Sequence, residues 1–349
     1  MDLKELRNKI DQIDSEILSL LSERMLLSIK TGKIKERIED KARENEILTS
    51  LRMRRDRLLP SPFTEKLYLD IMSESKRLQR EKLKLIGFQG ERGAFGEIAC
   101  QAFDNSHVPV PCLEFSDVFE GVSSGELDFG VVPIENSLEG SLTSVSHLLT
   151  EREVNIVGEV LLPVHHSLLG LGSVNFADVK IVYSHPQALA QCRNFIADNK
   201  LEPRPYYDTA GAAAMIAKEK PIAAAAIAGS ICSSLYGLKI LKEGIEDSES
   251  NFTRFVVISK QKFSGKGDKC SITFSTEDKV GALTSILSIF KKAKINLTMI
   301  ESIPSRNSPG RSKFLIDFMG SDLEERTVGA IGKIKAQTIG FKLLGCYKS

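Results

Sequence analysis

The first 84 residues almost lack the two residue types that interrupt helices. Gly32 is the only glycine in this segment, and its prolines stand at positions 60 and 62. Because glycine and proline are disfavoured inside helices, the segment predicts three helices, over about residues 2–38, 40–58 and 62–83. On the first helix, apolar residues recur at alternating steps of three and four, at Leu3, Leu6, Ile10, Ile13, Ile17, Leu20, Leu21 and Leu27. This stripe predicts packing against other helices.

Polar side chains interrupt the apolar stripes of all three predicted helices. Arg24 falls within the first stripe, where a buried guanidinium needs an anion because an unpaired buried charge is very costly. Asp40 and Glu44 lie on the apolar face of the second helix, and Ser75 and Gln79 continue that of the third. Two interpretations fit: a dimerisation arm whose polar residues fix the register of the helices, or a site for a small polar anion.

The pattern resembles the all-helical class of chorismate mutase domains over nearly the whole segment. The matching motifs are Leu6-Arg7, Glu23-Arg24, Gly32 to Lys35, Asp40 to Glu44, and Ser75 with Gln79. The resemblance implies that Arg24 and Arg43, together with the partner subunit's Arg7, hold the two substrate carboxylates. It also implies that Lys35 and Gln79 bond the ether oxygen, that Glu44 bonds the ring hydroxyl, and that Asp40 and Ser75 complete the site. A Claisen rearrangement needs no nucleophile or base, only a folded substrate and stabilised charge on the ether oxygen.

Beyond residue 84 the chain alternates short apolar runs with glycine turns and helical segments. Strands are predicted at residues 85–88, 129–134 and 179–184, and alanine-rich helices at 210–217 and 222–235. This alternation indicates an α/β domain with parallel sheets, whose ligands gather beyond the carboxyl ends of the strands. The polar candidates there are Asn136, Ser137, Ser184 and Gln191.

Sequence features of this region argue against a nicotinamide cofactor, a histidine base and a metal site. The glycines of residues 90–96 do not have the dinucleotide-binding spacing, which argues against a nicotinamide cofactor. His185 precedes Pro186, and we interpret it as a turn residue rather than a catalytic base. No Ser/His/Asp order or metal-ligand spacing is recognisable, so we expect no cofactor and no metal.

A hydroxyl and a guanidinium precede the apolar run Phe255 to Ile258, within the stretch Glu249 to Ile258. The run predicts a buried strand with Thr253 and Arg254 at its mouth. A Thr-Arg pair alone is most often an edge contact, and other segments decide its interpretation. These are Pro133 to Ser137 with Gly140, Ser184 to Gln187 with Gln191-Cys192, and Asp208-Thr209-Ala210.

Together these motifs resemble prephenate dehydratase from about residue 86 to 259. The resemblance implies two α/β lobes around a cleft, as in periplasmic binding proteins, with the chain returning to the first lobe. It also implies that Thr253 is the general acid or proton-positioning hydroxyl, and that Asn136, Ser137, Ser184 and Gln191 are site residues. Arg254, on charge and position alone, is a candidate clamp for a substrate carboxylate.

After a linker at residues 265–268, the pattern predicts a βαββαβ unit. It resembles the ACT domain, a regulatory module of ferredoxin-like α+β fold. The family's Gly-Ala-Leu motif is present as Gly281-Ala282-Leu283, and its Glu-Ser-Arg-Pro motif is partly kept as Glu301-Ser302-Ile303-Pro304. The resemblance implies control by phenylalanine bound at Gly281, Ala282, Leu283, Glu301 and Ser302. A dimerisation module that has lost its ligand is the alternative.

Composition excludes some partners. The chain has 47 basic and 46 acidic residues, and the net charge of +1 argues against nucleic acid or acidic membranes as partners. It shows no leader and no apolar run long enough to cross a bilayer, so we expect a cytoplasmic protein. The six cysteines are scattered without metal or redox spacing, and we expect them to be reduced and structural.

We therefore expect a multidomain chain: an all-α mutase domain at residues 1–84, a two-lobed α/β dehydratase domain at 85–262 and an α+β ACT domain at 268–349. The expected partners are chorismate, prephenate, the effector L-phenylalanine and, as a homodimer or higher homo-oligomer, further copies of the chain. Three alternatives stay open. They are a dehydratase that prefers arogenate, a non-catalytic amino-acid sensor, and a helical arm that only dimerises.

Overall fold

The computed structural model describes residues 2–54, 56–248, 250–277, 279–304 and 312–349. The chain separates into two compact units, residues 1–84 and residues 85–349. Among the described residues, no helix has the combination of length and apolar character needed to cross a membrane.

The first unit is helical, as predicted, with α1 (Leu3–Ile34), α2 (Lys41–Met53) and α3 (Ser61–Arg80). The first two helices are shorter than expected. Asp40 explains where α2 begins, because its Oδ1 accepts a hydrogen bond from the Arg43 amide at 3.0 Å and so caps the helix. Helix α1 packs along α3, and the small core between the helices contains Ile29, Leu51 and Met72.

The second unit begins with a two-lobed α/β region. Its elements are β1 (Leu85–Gln89), α4 (Phe95–Phe103), β2 (Val108–Cys112), α5 (Phe115–Ser124), β3 (Phe129–Asn136), β4 (Gly140–Ser141), α6 (Thr143–Glu151), β5 (Asn155–Pro163), β6 (Ser167–Gly170), β7 (Ile181–Ser184), α7 (Pro186–Gln191), α8 (Arg193–Asp198), β8 (Glu202–Pro205), α9 (Thr209–Glu219), β9 (Ala224–Ala228), α10 (Ile231–Tyr236), β10 (Lys239–Glu243) and β11 (Phe252–Ser259).

The sheet of the first lobe has the strand order β2-β1-β3-β11-β5, with β4 paired to β3. Strands β1, β2 and β3 are parallel, whereas β11 is antiparallel to both of its neighbours. The chain thus leaves this lobe after β5 and returns to its centre with β11, as the resemblance implies. The register of this return places Thr253 opposite Asn136.

The sheet of the second lobe has the order β10-β6-β9-β7-β8. The prediction of a helix over residues 222–235 is wrong, because this stretch forms the central strand β9 followed by the short helix α10. All five residues of β9 are buried: Ala224, Ala226 and Ala228 pack in the same core as the alanines of α9, and Ala225 packs in the core on the other face of the sheet. Burial on both faces therefore overrides the strong helical propensity of alanine.

The C-terminal segment has the predicted βαββαβ order. Its elements are β12 (Lys269–Ser275), α11 (Ala282–Lys292), β13 (Leu297–Pro304), β14 (Ser312–Met319), α12 (Glu325–Gln337) and β15 (Ile339–Tyr347). The strand order β13-β14-β12-β15 and the two helices packed on the sheet give the ferredoxin-like fold.

One expectation about the cysteines is wrong. Cys270 of β12 and Cys346 of β15 are cross-strand neighbours and form a disulfide, with Cα atoms 4.1 Å apart. The 76 residues between them hide this pairing from a search for closely spaced cysteines. Cys100, Cys192 and Cys232 are buried thiols.

Candidate active sites

A cavity of about 350 Å³ is lined by residues of both α/β lobes. Thr253 and Asn136 contribute from β11 and β3 of the first lobe, and Gln191 contributes from α7 of the second. All three side chains are largely buried. The fold thus brings together three predicted residues that are far apart in the sequence.

Hydrogen bonds connect these side chains through Asn251. Asn136 Nδ2 donates to Thr253 Oγ1 at 3.0 Å and to Asn251 Oδ1 at 2.9 Å. Asn251 Nδ2 in turn donates to Gln191 Oε1 at 3.0 Å. Asn251 is fully buried, and the amide chain runs unbroken from one lobe to the other. In the sequence, Asn251 lies two residues before Thr253 in the stretch Glu249 to Ile258, of which Glu249 lies outside the described residues.

The orientation of the Asn136 amide is fixed by the turn that follows β3. Its Oδ1 accepts hydrogen bonds from the amides of Leu138 and Glu139, at 3.0 and 3.2 Å. The donor end therefore faces Thr253, whose oxygen acts as acceptor. A hydroxyl that accepts from Asn136 keeps its own proton available for a molecule in the cavity.

His166 is a cavity residue outside the sequence motifs. Its Nε2 lies 2.9 Å from Gln191 Oε1, its ring meets Phe95 edge-on, and burial lowers its pKa. The signal that could have found it is its position in a His-His pair immediately before strand β6. His185 also lines the cavity, while its Nδ1 accepts from the Gln187 amide as the cap of α7, which agrees with its interpretation as a turn residue.

The charges around the cavity are mostly acidic. Its described lining contains Glu114 and Asp208 but neither lysine nor arginine. Burial raises the pKa of Asp208, although its Oδ1 accepts from the Gly211 amide at 2.8 Å and caps α9. An anionic ligand in this cavity thus has to be held mainly by neutral donors.

Three predicted dehydratase residues, the serines Ser137 and Ser184 and also Arg254, lie outside the described cavity lining. Ser184 is fully buried and donates to the Ile227 carbonyl at 2.5 Å, which ties β7 to β9. Ser137 accepts from the Phe252 amide and donates to the Ser250 carbonyl, which fastens the loop before β11 to the end of β3. Both serines therefore connect secondary-structure elements of the lobes and do not line the described cavity.

The assignment of Arg254 as a substrate clamp is contradicted by its position. Thr253 and Phe255 line the cavity, whereas Arg254 points to the opposite face of β11 because successive side chains alternate across a strand. There Arg254 contacts Asp317 of β14 at 2.6 Å and Glu159 of β5 at 2.7 Å.

These contacts belong to a buried cluster between the first lobe and the C-terminal sheet. Glu159 also accepts from Lys269 at 2.8 Å, and Tyr347 Oη lies 3.2 Å from Arg254 Nη2. Two cations thus face two carboxylates, so neither sign of charge is left uncompensated. The C-terminal sheet is therefore joined by ion pairs to the strand that carries Thr253.

In the helical unit, Arg24 and Ser75 meet between α1 and α3. Arg24 Nη1 donates to Ser75 Oγ at 2.8 Å, and Ser28 Oγ also donates to Ser75 Oγ at 3.2 Å. Arg24 is partly exposed and Ser75 is buried. The arginine in the apolar stripe therefore reaches a polar group on the facing helix, and Ser28 is a further neighbour that lies outside the sequence motifs.

The connection from α1 to α2 contributes further charged groups. Lys35 Nζ lies 3.4 Å from Asp40 Oδ2, and the pKa of Asp40 is lowered, chiefly by the hydrogen bond from the Arg43 amide. Arg43 itself is exposed and pairs with Glu46 of its own helix.

The remaining mutase candidates differ in their surroundings. Glu44 pairs with Lys76 of α3 at 3.1 Å. Gln79 lies against Gly32, and its Oε1 is buried without a hydrogen-bond partner among the described residues. Arg7 is exposed on α1.

The C-terminal candidates lie at two places on the ACT-like fold. Gly281 has a φ of +82°, a conformation that favours glycine, and α11 begins directly after it at Ala282, followed by Leu283. Ser302 is exposed on β13, whereas the Glu301 carboxylate accepts a hydrogen bond from Ser146 of α6 at 2.6 Å. Burial raises the pKa of Glu301.

Comparisons with known proteins agree with this architecture. The chorismate mutase type II, prephenate dehydratase and ACT domain models match residues 6–80, 86–263 and 271–336. The bifunctional chorismate mutase/prephenate dehydratase of Aquifex aeolicus is 37% identical over 99% of this chain and 98% of its own. The arogenate dehydratase/prephenate dehydratase 2 of Arabidopsis thaliana is 37% identical, over 83% and 78%.

Among solved structures, the prephenate dehydratase of Arthrobacter aurescens in complex with L-Phe has a TM-score of 0.71 and 29% identity, over 76% of this chain and 90% of that one. The fold, the cavity and these matches define a multidomain enzyme with an isomerase and a lyase domain. The chain belongs to the bifunctional chorismate mutase/prephenate dehydratase family. It rearranges chorismate to prephenate and converts prephenate to phenylpyruvate.

Proposed function

We propose that Thr253 is the hydroxyl that donates to the leaving group of prephenate. The observation that carries this proposal is the 3.0 Å hydrogen bond from Asn136 to Thr253 Oγ1 in the cavity lining. Decarboxylation sends the electron pair of the broken C–C bond into the ring, and the ring hydroxyl departs as the ring becomes aromatic. A donor aimed at that hydroxyl lowers the barrier because the oxygen gains negative charge as its bond breaks.

The other cavity groups align the substrate. Asn136 and Gln191 hold the amide chain in place, and the start of α4, which is in the lining, offers peptide N–H groups. Free amides at helix starts suit carboxylates. This arrangement supports binding of a dicarboxylate by neutral donors.

A second candidate substrate is arogenate, which carries an ammonium group where prephenate has a ketone. The acidic side chains of Glu114 and Asp208 favour this candidate, since a carboxylate attracts an ammonium group. A relative from Arabidopsis thaliana is named for both activities.

The ratio of kcat/KM for the two substrates separates these candidates. We expect prephenate to be favoured, by about tenfold or more, because the Asp208 carboxylate already accepts from the Gly211 amide at 2.8 Å and is less available to an ammonium group. The control is Asp208→Asn, which can still cap α9. A preference for arogenate that disappears in Asp208→Asn would overturn this choice of substrate.

For the mutase, we propose a chorismate site built from Arg24, Arg43, Lys35, Gln79, Glu44, Asp40 and Ser75, completed by the partner subunit's Arg7. Two features support a polar ligand here: the Arg24–Ser75 bond, and the buried Gln79 oxygen, which has no hydrogen-bond partner among the described residues.

The apolar stripe of α1 supports a homodimer, the oligomer that a site shared with the partner's Arg7 requires. Seven of its residues are between 42 and 65% exposed in the single chain: Leu3, Leu6, Ile10, Ile13, Ile17, Leu20 and Leu27. An apolar stripe of this length is more stable when a second copy covers it.

For regulation, we propose that L-phenylalanine binds at Gly281, Ala282, Leu283, Glu301 and Ser302 and inhibits the dehydratase. The bound L-Phe in the Arthrobacter aurescens structure supports this effector. The Glu301–Ser146 bond and the Arg254–Asp317 pair supply physical contacts from the regulatory sheet to the dehydratase lobe. The domain limits we propose are residues 1–84, 85–262 and 268–349.

A further inference from the structure

His166 belongs to the dehydratase cavity but has no part in the roles proposed above. It is 2% exposed, and its Nε2 lies 2.9 Å from Gln191 Oε1. Its Nδ1 is buried and has no hydrogen-bond partner among the described residues. The hydrogen-bond partners of the two ring nitrogens therefore determine the protonation state of this imidazole.

The neighbours of Gln191 settle which imidazole nitrogen carries the proton. Gln191 Nε2 donates to Glu139 Oε1 at 3.2 Å, so the Oε1 of Gln191 is the end that faces Asn251 and His166. An amide oxygen can only accept, and His166 Nε2 therefore bears the hydrogen. Nδ1 is then the unprotonated nitrogen.

The groups around His166 shift its pKa in opposite directions. Burial lowers its pKa most, and His165 acts in the same direction, whereas Gln191 and Glu246 oppose them. Glu246 accepts from the His166 backbone amide and from the His165 ring, and Phe95 covers one edge of the His166 ring. Protonation would create a buried Nδ1–H that finds no acceptor in the described part of the chain, which is unfavourable.

We propose that neutral His166 is a positioning residue of the dehydratase, whose Nε2–H holds the Gln191 oxygen and thereby aligns Asn251, Asn136 and the Thr253 hydroxyl. The inference rests on the proposed role of Thr253. Gln191 Oε1 receives hydrogen bonds from both His166 and Asn251, so loss of the first lets the amide turn and loosens the second. Misaligning a proton donor slows the chemical step more than it weakens substrate binding.

The test compares two substitutions at one position. His166→Leu removes the donor, and we expect it to lower kcat for prephenate by about tenfold or more with little change in KM. His166→Gln restores an N–H at a similar reach, and we expect its kcat to lie within about fivefold of wild type. Equal losses in both variants, or wild-type kcat in His166→Leu, would overturn the inference.

The pH profile separates positioning from support of the fold. Because the neutral form is active and the folded pKa is lowered, wild-type kcat is expected to fall only at pH values below the ordinary histidine range. His166→Gln cannot titrate and should lose that acid limb. An unchanged acid limb in His166→Gln would contradict a role for the neutral imidazole.

The matched control is His165→Gln in the neighbouring residue, whose side chain is 62% exposed and bonded to Glu246. We expect its kcat within about twofold of wild type, because an exposed side chain outside the described cavity lining does not contact the amide chain. Thr253→Val distinguishes the proposed role of Thr253 from the proposed role of His166. An active Thr253→Val would remove the proposed function, whereas an inactive Thr253→Val beside a fully active His166→Leu would remove only the present inference.

Discussion

Replacing Thr253 by valine is expected to lower dehydratase turnover by about a hundredfold or more, because oriented proton donation is typically worth 10²–10⁴ in rate. The substitution keeps the shape of the side chain and removes the oxygen that Asn136 contacts at 3.0 Å. Chorismate mutase turnover should stay at the wild-type level, since Thr253 lies in the second compact unit and the mutase residues in the first. Formation of prephenate and phenylpyruvate from the respective added substrates measures the two activities separately.

Thr253→Ser is the control for this experiment. It restores a hydroxyl on the same strand and should recover a large part of the lost turnover, whereas a structural defect at this position would not be repaired. Near-normal dehydration by Thr253→Val, or equal loss of both activities, would remove Thr253 from the chemistry.

Replacing Arg24 by alanine is expected to lower mutase kcat/KM by about a hundredfold or more, because one preorganised donor is worth 10²–10³ in rate. Arg24 is held by Ser75 at 2.8 Å, so its cation is already placed between α1 and α3 before substrate arrives. Dehydration of added prephenate should be unaffected. Arg52→Ala is the matched control, since Arg52 is an exposed arginine of the same unit that pairs with Glu65.

Equal mutase activity in Arg24→Ala and Arg52→Ala would rule out a ligand role for Arg24. Thermal unfolding of both variants distinguishes a lost ligand contact from a destabilised helical unit. A surface ion pair such as Arg52–Glu65 contributes little to stability, so the control is expected to unfold as the wild type does.

Much of the architecture could be predicted from local sequence patterns. The near absence of glycine and proline indicated the helical unit, and the motif order indicated the two-lobed region and its returning strand. The alanine-rich strand Ala224–Ala228 could not be predicted in this way, because local propensity favours a helix there and only burial in the sheet centre decides against it. The Cys270–Cys346 disulfide likewise depends on strand register, which single-sequence spacing does not contain.

The candidate site shows the same division. Asn136, Gln191 and Thr253 could be selected from motifs and do line one cavity. Adjacency misled the interpretation of Arg254, since neighbours on a strand point to opposite faces and Arg254 meets Asp317 of the C-terminal sheet instead. Ser184 shows the converse: a polar residue at a strand end can serve the sheet, here through the Ile227 carbonyl.

His166 and Asn251 were not selected because their importance lies in partners far along the chain. Their hydrogen bonds to Gln191 span 25 and 60 residues of sequence. Such residues can be recognised as members of a hydrogen-bond network only when the fold has brought their partners within hydrogen-bonding distance.

The central claim is that one chain performs both reactions and that phenylalanine restrains the second. The most direct test supplies chorismate to the purified full chain and follows prephenate and phenylpyruvate over time, with and without L-phenylalanine. The account predicts a transient rise of prephenate followed by phenylpyruvate, with phenylpyruvate formation suppressed by L-phenylalanine. Prephenate that accumulates without phenylpyruvate, or phenylpyruvate formation that L-phenylalanine leaves unchanged, would contradict it.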